Sequence, residues 1–214
     1  MKNVFWIALM LGTLPCFGGN GSHPVVPIAL YTHFDQVAPS VIIDAMHAEI
    51  DAIMGPLGIK FEWRSLDGVR GTELSTELAV LTFKGHCDLS GINPRKVADI
   101  GALGFTHMSD GEILPFSQIE CDRVRLFVQR DLVTMRSPQR EETFGRALGR
   151  VVAHELYHIF ANTTRHGDCG VGKAAYSVRE LLNDDFQFEG KESLALQGSK
   201  ARSAVKNANG PPTL

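Results

Sequence analysis

Several things are missing from this chain, and each absence closes off a class of function. Its 21 Lys and Arg stand against 24 Asp and Glu, a formal charge of −3, with no basic stripe and no basic run interleaved with aromatics. Nothing in it therefore points to a nucleic-acid partner. Beyond the first two dozen residues no apolar stretch is long enough to span a bilayer. None of the four cysteines forms a Cys-x-x-Cys pair, which argues against a structural zinc site built on thiolates. There is no internal repeat and no second block of distinct composition, so one domain of ordinary size with a real core is expected.

What is present begins with "MKNVFWIALMLGTLPCFGGNGSHP": one lysine, an apolar run from Val4 to about Phe17, then small residues. That is the three-part grammar of a secretory signal peptide. Gly12 and Pro15 interrupt the run, which would break a buried helix there. The expected division is residues 1–22 signal peptide, 23–197 the folded domain, and 198–214 a polar tail ending "NANGPPTL". Loss of Lys2 with the signal takes the formal charge from −3 to −4. A secreted or periplasmic location follows. Lipoprotein anchoring at Cys16 does not, since Pro15 is a poor fit to the small residue such processing prefers. The mature chain keeps Cys87, Cys121 and Cys169. In an oxidising compartment one pair is expected. Cys87 and Cys121 each adjoin a predicted strand, which leaves Cys169 free. A monomer is expected.

"VVPIALYTH" (25–33) reads as a central strand. A helix follows with Ile43, Met46, Ile50, Ile53 and Leu57 on one stripe, stopped at Gly55–Pro56, with His47 and Glu49 on its solvated face. "IKFEWRS" alternates cleanly as a half-buried strand, and "ELAVLTFKG" is a third. "GALGFTHM" and "EILPF" read as short strands of the edge or hairpin type. "RVRLFVQ" reads as one more, with Val124, Leu126 and Val128 on one side. A long helix then opens at Ser137–Pro138, with Glu141 and Glu142 near its positive end. Phe144, Leu148, Val152 and Ile159 form its core stripe. Gly145, Gly149 and Ala153 make a small-residue row suited to close approach to the sheet. The order predicts an α+β fold, a twisted sheet packed against helices.

The long helix carries "HELYH". His154 and His158, four apart, leave one face a turn apart and can share a tetrahedral zinc. Glu155 is rotated roughly 100° from His154, placed to reach a water in the open coordination position rather than the metal. This is the mechanical content of the His-Glu-x-x-His motif. Two histidines hold zinc weakly, so a third ligand is needed. If the helix ends near Ala161–Asn162, with Asn162 in the left-handed conformation it tolerates, the polar segment "NTTRHG" can return His166 to the metal. Asp168 is a rival ligand. Another is Glu180 on a following helix, with Asp184 one turn on to support it.

At these residues the chain resembles the zincin metallopeptidases. "HELYHIFANTTRH" is similar to their metzincin branch, in which a third histidine follows the helix after a turn. The strand and helix order is similar to the metzincin N-terminal subdomain, over about residues 25–166. The chain is also similar to a set of exported bacterial proteins with a longer gap before the third histidine. Ala161 and Thr164 stand where the usual pattern has glycine and the third histidine, and no methionine follows Met135, so the family's methionine turn is missing.

The resemblance implies a zincin-like fold with an antiparallel edge strand and two long helices, the second bearing the motif. It also implies a Zn2+ cofactor on His154, His158 and His166, with Glu155 as catalytic base and a peptide or protein substrate. "GALGFTH" would align that substrate as the edge strand. Tyr176 is a candidate oxyanion helper, or simply a packing tyrosine. The expected function is an exported zinc peptidase. Its rival is a non-catalytic secreted module with zinc as a staple, which a fourth ligand such as Cys169 or Asp168 would favour.

Overall fold

Alternating apolar residues gather five strands into one sheet: β1 (Pro27–Phe34), β2 (Lys60–Ser65), β3 (Leu78–Lys84), β4 (Gly104–Ser109) and β5 (Glu112–Glu120). The structure, a computed structural model, describes residues 27–92 and 100–199. The expected signal peptide, most of the expected tail and part of the loop after Gly91 lie outside the described residues. The strand order is β2-β1-β3-β5-β4. The first four strands are parallel neighbours, and β4 closes the edge antiparallel to β5. In β3 the period of two is plain: Ala79, Leu81 and Phe83 have no exposed surface, while Val80 and Thr82 face the other way and are half-buried.

The helices line the face that Leu81 and Phe83 present. In α1 (Ser40–Met54), Ile42, Met46, Ile50 and Ile53 recur at helical spacing and are all 2 % exposed or less. Gly55 and Pro56 end it in a short 3-10 turn, and Gly58 at φ +74° reverses the chain into β2. The long helix, α3 (Ser137–Ala161), has Arg136 at its N-cap, one residue before the expected Ser137, and carries Pro138 in its first turn. Its core stripe is as expected for Phe144, Leu148 and Val152, with Ile159 only partly buried. Two short helices, α4 (Val178–Leu182) and α5 (Gly190–Gln197), follow it. No described helix is long and apolar enough to cross a membrane.

Several expectations are corrected. "RVRLFVQ" is not a strand but the middle of a helix, α2 (Cys121–Leu132). Strand alternation would have buried Val124, Leu126 and Val128. Helical spacing instead buries Cys121, Val124, Val128 and Leu132 completely. A fourth full burial is worth about 1.5–3 kcal/mol, and Asp122 pairs with Arg125 one turn on. The short "EILPF" strand in fact runs on to Glu120, and its Pro115 sits where the β4–β5 register shifts and no ladder donor is needed.

The small-residue row of α3 faces α1, not the sheet. An added Cβ at Gly145 would lie 2.5 Å from the Ile42 carbonyl oxygen, and one at Gly149 would lie 2.8 Å from that of Met46. Glu49 is likewise no solvated residue: it pairs with Arg150 and Arg146 of α3. His47 stacks on Trp63 at 3.8 Å. The expected disulfide is present, joining Cys87 after β3 to Cys121 at the start of α2, and Cys169 is free and exposed.

Candidate metal centre

The site is built on the last two turns of α3. His154 and His158 project from one face, buried to 8 % and 9 % exposure, and their Nε2 atoms stand 3.1 Å apart. Two nitrogens on one tetrahedral zinc, each about 2.0–2.1 Å from it, would be about 3.3 Å apart. The pair is therefore spaced for a shared ion. Each Nδ1 lies against a backbone carbonyl, His154 on Val171 at 2.8 Å and His158 on Thr163 at 2.7 Å. Donation of Nδ1–H to those carbonyls leaves both Nε2 lone pairs facing each other, an arrangement that calls for a cation between them. Burial keeps the imidazoles neutral. It holds His154 down at about 4, helped by His158 and His166 and opposed by the Val171 bond, and it also lowers His158.

The third histidine arrives by the expected turn. Asn162 ends α3 in the left-handed conformation at φ 48°, and the Thr163 amide donates back to the His158 carbonyl. The chain then returns so that the His166 ring stacks on His154 and meets His158 edge-on, with centroids at 5.3 and 4.8 Å. One ligand nitrogen from each of the three histidines lies within 4.8 Å of the others, and no other group of this kind exists among the described residues. His166 is the exposed member.

The rival ligands lie elsewhere. Glu180 closes a capping box with Ser177 and pairs with Lys173. The Lys173 bond and the Ser177 bonds draw its carboxyl down to about 2. Its supporting partner, Asp184, reaches toward Arg146 instead. Asp168 is exposed and outside the histidine group, and Cys169 directs its sulfur to Glu189. Tyr176 is not placed as an oxyanion helper. Its hydroxyl bonds the Val171 carbonyl and lies 2.9 Å from His154 Nδ1, behind the ring rather than on its Nε2 side.

Glu155 is 4 % exposed and stands beside the histidines as its rotation on the helix requires. Burial pushes its carboxyl up to about 7, against the lowering effect of a hydrogen bond from Thr106. Two hollows meet at this residue. One, of about 550 Å³, is lined mainly by apolar groups including Leu103, Phe127 and Val151. The other, of about 270 Å³, takes in the three histidines, Phe105, Met108 and Ile113. Both include Gly104 of β4, so the edge strand runs along the cleft. The sequence singles out the histidines and Glu155 but gives no sign of the groups that hydrogen-bond to them. Val171 and Thr163 act through main-chain carbonyls, which have no side-chain signature, and Thr106 is one polar residue on a strand.

No family model matches the sequence, and no curated protein matches it. Among solved structures, the chain is similar to a zinc-dependent peptidase from Methanocorpusculum labreanum. The two share 11 % identity at a TM-score of 0.50, over 79 % of this chain and 99 % of that one. It is also similar to archaemetzincin from Methanopyrus kandleri, at 15 % identity and a TM-score of 0.47, over 87 % and 98 %. At the identity of the first match the likeness is one of fold, and the fold is zincin-like.

Proposed function

We propose that this zincin-like chain is an exported zinc-dependent metallopeptidase, with His154, His158 and His166 holding the metal and Glu155 as the catalytic base. The observation that carries the reading is the convergence of three histidine nitrogens within 4.8 Å, beside a buried carboxylate at the floor of a cleft. A zinc ion held by these histidines would supply Lewis-acid chemistry for a scissile carbonyl and for water near neutral pH. The Val171 and Thr163 carbonyls keep Nε2 of each helix histidine free for the metal. Glu155 accepts the proton of the attacking water and passes it to the leaving amine. The outer edge of β4, unpaired among the described residues, offers main-chain groups to an extended peptide. The Methanocorpusculum protein, described as a zinc-dependent peptidase, supports the same chemistry on the shared fold. The Cys87–Cys121 disulfide supports an oxidising compartment.

The staple reading expects a fourth protein ligand. Neither Asp168 nor Cys169 joins the histidines, which supports a site with an open position instead. Metal analysis of the purified mature chain, paired with digestion of a broad peptide library, tests the proposal. Zinc at one equivalent is expected, with cleavage that falls about two to four orders of magnitude in Glu155→Gln while zinc is kept. Equal cleavage by both proteins would place the activity elsewhere. Loss of zinc from Glu155→Gln would make that residue a structural partner and return the staple reading.

A further inference from the structure

The Glu155 carboxylate is 4 % exposed and forms no ion pair among the described residues. It lies across two residues of the edge strand. Thr106 Oγ1 donates to Glu155 Oε2 at 2.8 Å and also approaches the main-chain oxygen of Glu155 at 3.2 Å. The other carboxylate oxygen sits over Gly104, where an added Cβ would come within 3.0 Å of Oε1. Gly104 and Thr106 are alternate residues of β4, so both present the same face to α3. The threonine hydroxyl is itself anchored. Ser117 is its register partner on β5, is 2 % exposed, and its Oγ lies 2.8 Å from Thr106 Oγ1. A rigid sheet thus holds the hydroxyl, and the hydroxyl holds the carboxylate.

We propose that Thr106 is a positioning residue for Glu155: it fixes the carboxylate in the orientation from which that group can serve a water at the histidine cluster. The inference rests on the reading of Glu155 as the base. Its geometric content stands by itself. A buried carboxylate on a flexible side chain has several rotamers, and a lone hydrogen bond to a neutral hydroxyl selects among them at a cost in desolvation that only a pre-placed donor can offset. Without the hydroxyl, Glu155 remains buried beside the histidines and is free to turn its oxygens toward the cluster itself. A misplacement of about 1 Å at a reacting group costs about 100-fold in rate.

The test compares Thr106→Val, which keeps the shape and removes the hydroxyl, with Thr106→Ser, which keeps the hydroxyl. All are zinc-loaded, and all are checked for zinc content and thermal midpoint. On a peptide that the wild type cleaves, Thr106→Val should lose about 10- to 100-fold in kcat with KM within about twofold, and Thr106→Ser should recover most of the loss. Unchanged kcat in Thr106→Val overturns the inference. So does an equal loss in both variants, which would assign the effect to packing of the methyl group. Crystal structures of the zinc-loaded variants decide the matter without any activity: the carboxylate should leave its place in Thr106→Val and keep it in Thr106→Ser. A carboxylate unmoved in Thr106→Val overturns the positioning role. A wild type that cleaves nothing counts against the peptidase reading alone, and the structures still judge the role of Thr106.

Discussion

Arg150 of α3 closes on Glu49 of α1, Nε to Oε1 at 2.6 Å, with the arginine side chain 1 % exposed. The same guanidinium donates to the Leu181 carbonyl at 2.9 Å and lies 4.8 Å from the Phe186 ring centre. One side chain, a turn before His154, therefore ties two helices to the segment that follows the histidine loop. Removing one partner of a buried pair costs about 3–5 kcal/mol. Arg146 still reaches Glu49 at 3.2 Å, so Arg150→Met should fall at the low end, about 3 kcal/mol in denaturant unfolding. A loss below about 1 kcal/mol would show the pair to be no stronger than a surface ion pair.

At Gly145 two effects of opposite sign compete. Alanine in a helix interior gains about 1 kcal/mol over glycine. Here the new Cβ would stand 2.5 Å from the Ile42 carbonyl oxygen and 2.7 Å from the Ala45 Cβ, and neither is the end of a flexible side chain. The helices must part, at an overpacking cost of about 1–3 kcal/mol. Gly145→Ala should lower the thermal midpoint, and a rise would mean that α1 yields freely.

The third ligand is separable by substitution. His166→Ala should weaken zinc binding far more than Asp168→Ala or Glu180→Ala, measured by competition with a chromophoric chelator. Glu180→Ala should instead lower the thermal midpoint slightly, because it removes the carboxylate half of the capping box with Ser177 and the Lys173 pair. Zinc lost from Glu180→Ala and retained by His166→Ala would reverse the assignment.

In the metal-free protein Glu155 is held up at about 7 from an ordinary 4.5. Between those values the folded state keeps a proton that the unfolded state has released, so this group's contribution to stability is full below 4.5 and falls as pH rises toward 7. His154, held down at about 4 from 6.5, acts in the opposite sense below 6.5. Glu155→Gln removes only the first effect. Relative to wild type, the metal-free variant should therefore gain up to about 3 kcal/mol on going from pH 4.5 to 7, as read by urea midpoints across that range. A difference that does not change with pH would mean that the carboxylate is ionised in the fold.

The motif could be read from the sequence because helix geometry is local: His154 and His158 at a four-residue spacing must share a face, and Glu155 must stand off it. The turn at Asn162 could be read for the same reason, since only a few residues accept a left-handed φ of 48°. The disulfide follows from an expected oxidising compartment, an odd cysteine count and two cysteines beside predicted strands, although Cys121 in fact opens α2. The α2 segment was open to a strand reading because "RVRLFVQ" satisfies both periods over its short length. The winner depends on which neighbour is there to cover it, and β4 already holds the sheet edge.

Local spacing alone determined the face of α3 that His154 and His158 share and the general α+β order. Only the tertiary structure decided which carboxylates were free to ligate, because Glu180 is held by Lys173 and Ser177 and Asp168 stands exposed outside the histidine group. It also decided what aims Glu155. Thr106 is 49 residues away in sequence, and such a contact leaves no periodic trace. The hydrophobic pattern that folds the sheet onto α3 is repeated many times along the chain, so it survives reading one segment at a time. A single hydroxyl placed by that packing occurs once, and becomes visible only when the two surfaces meet.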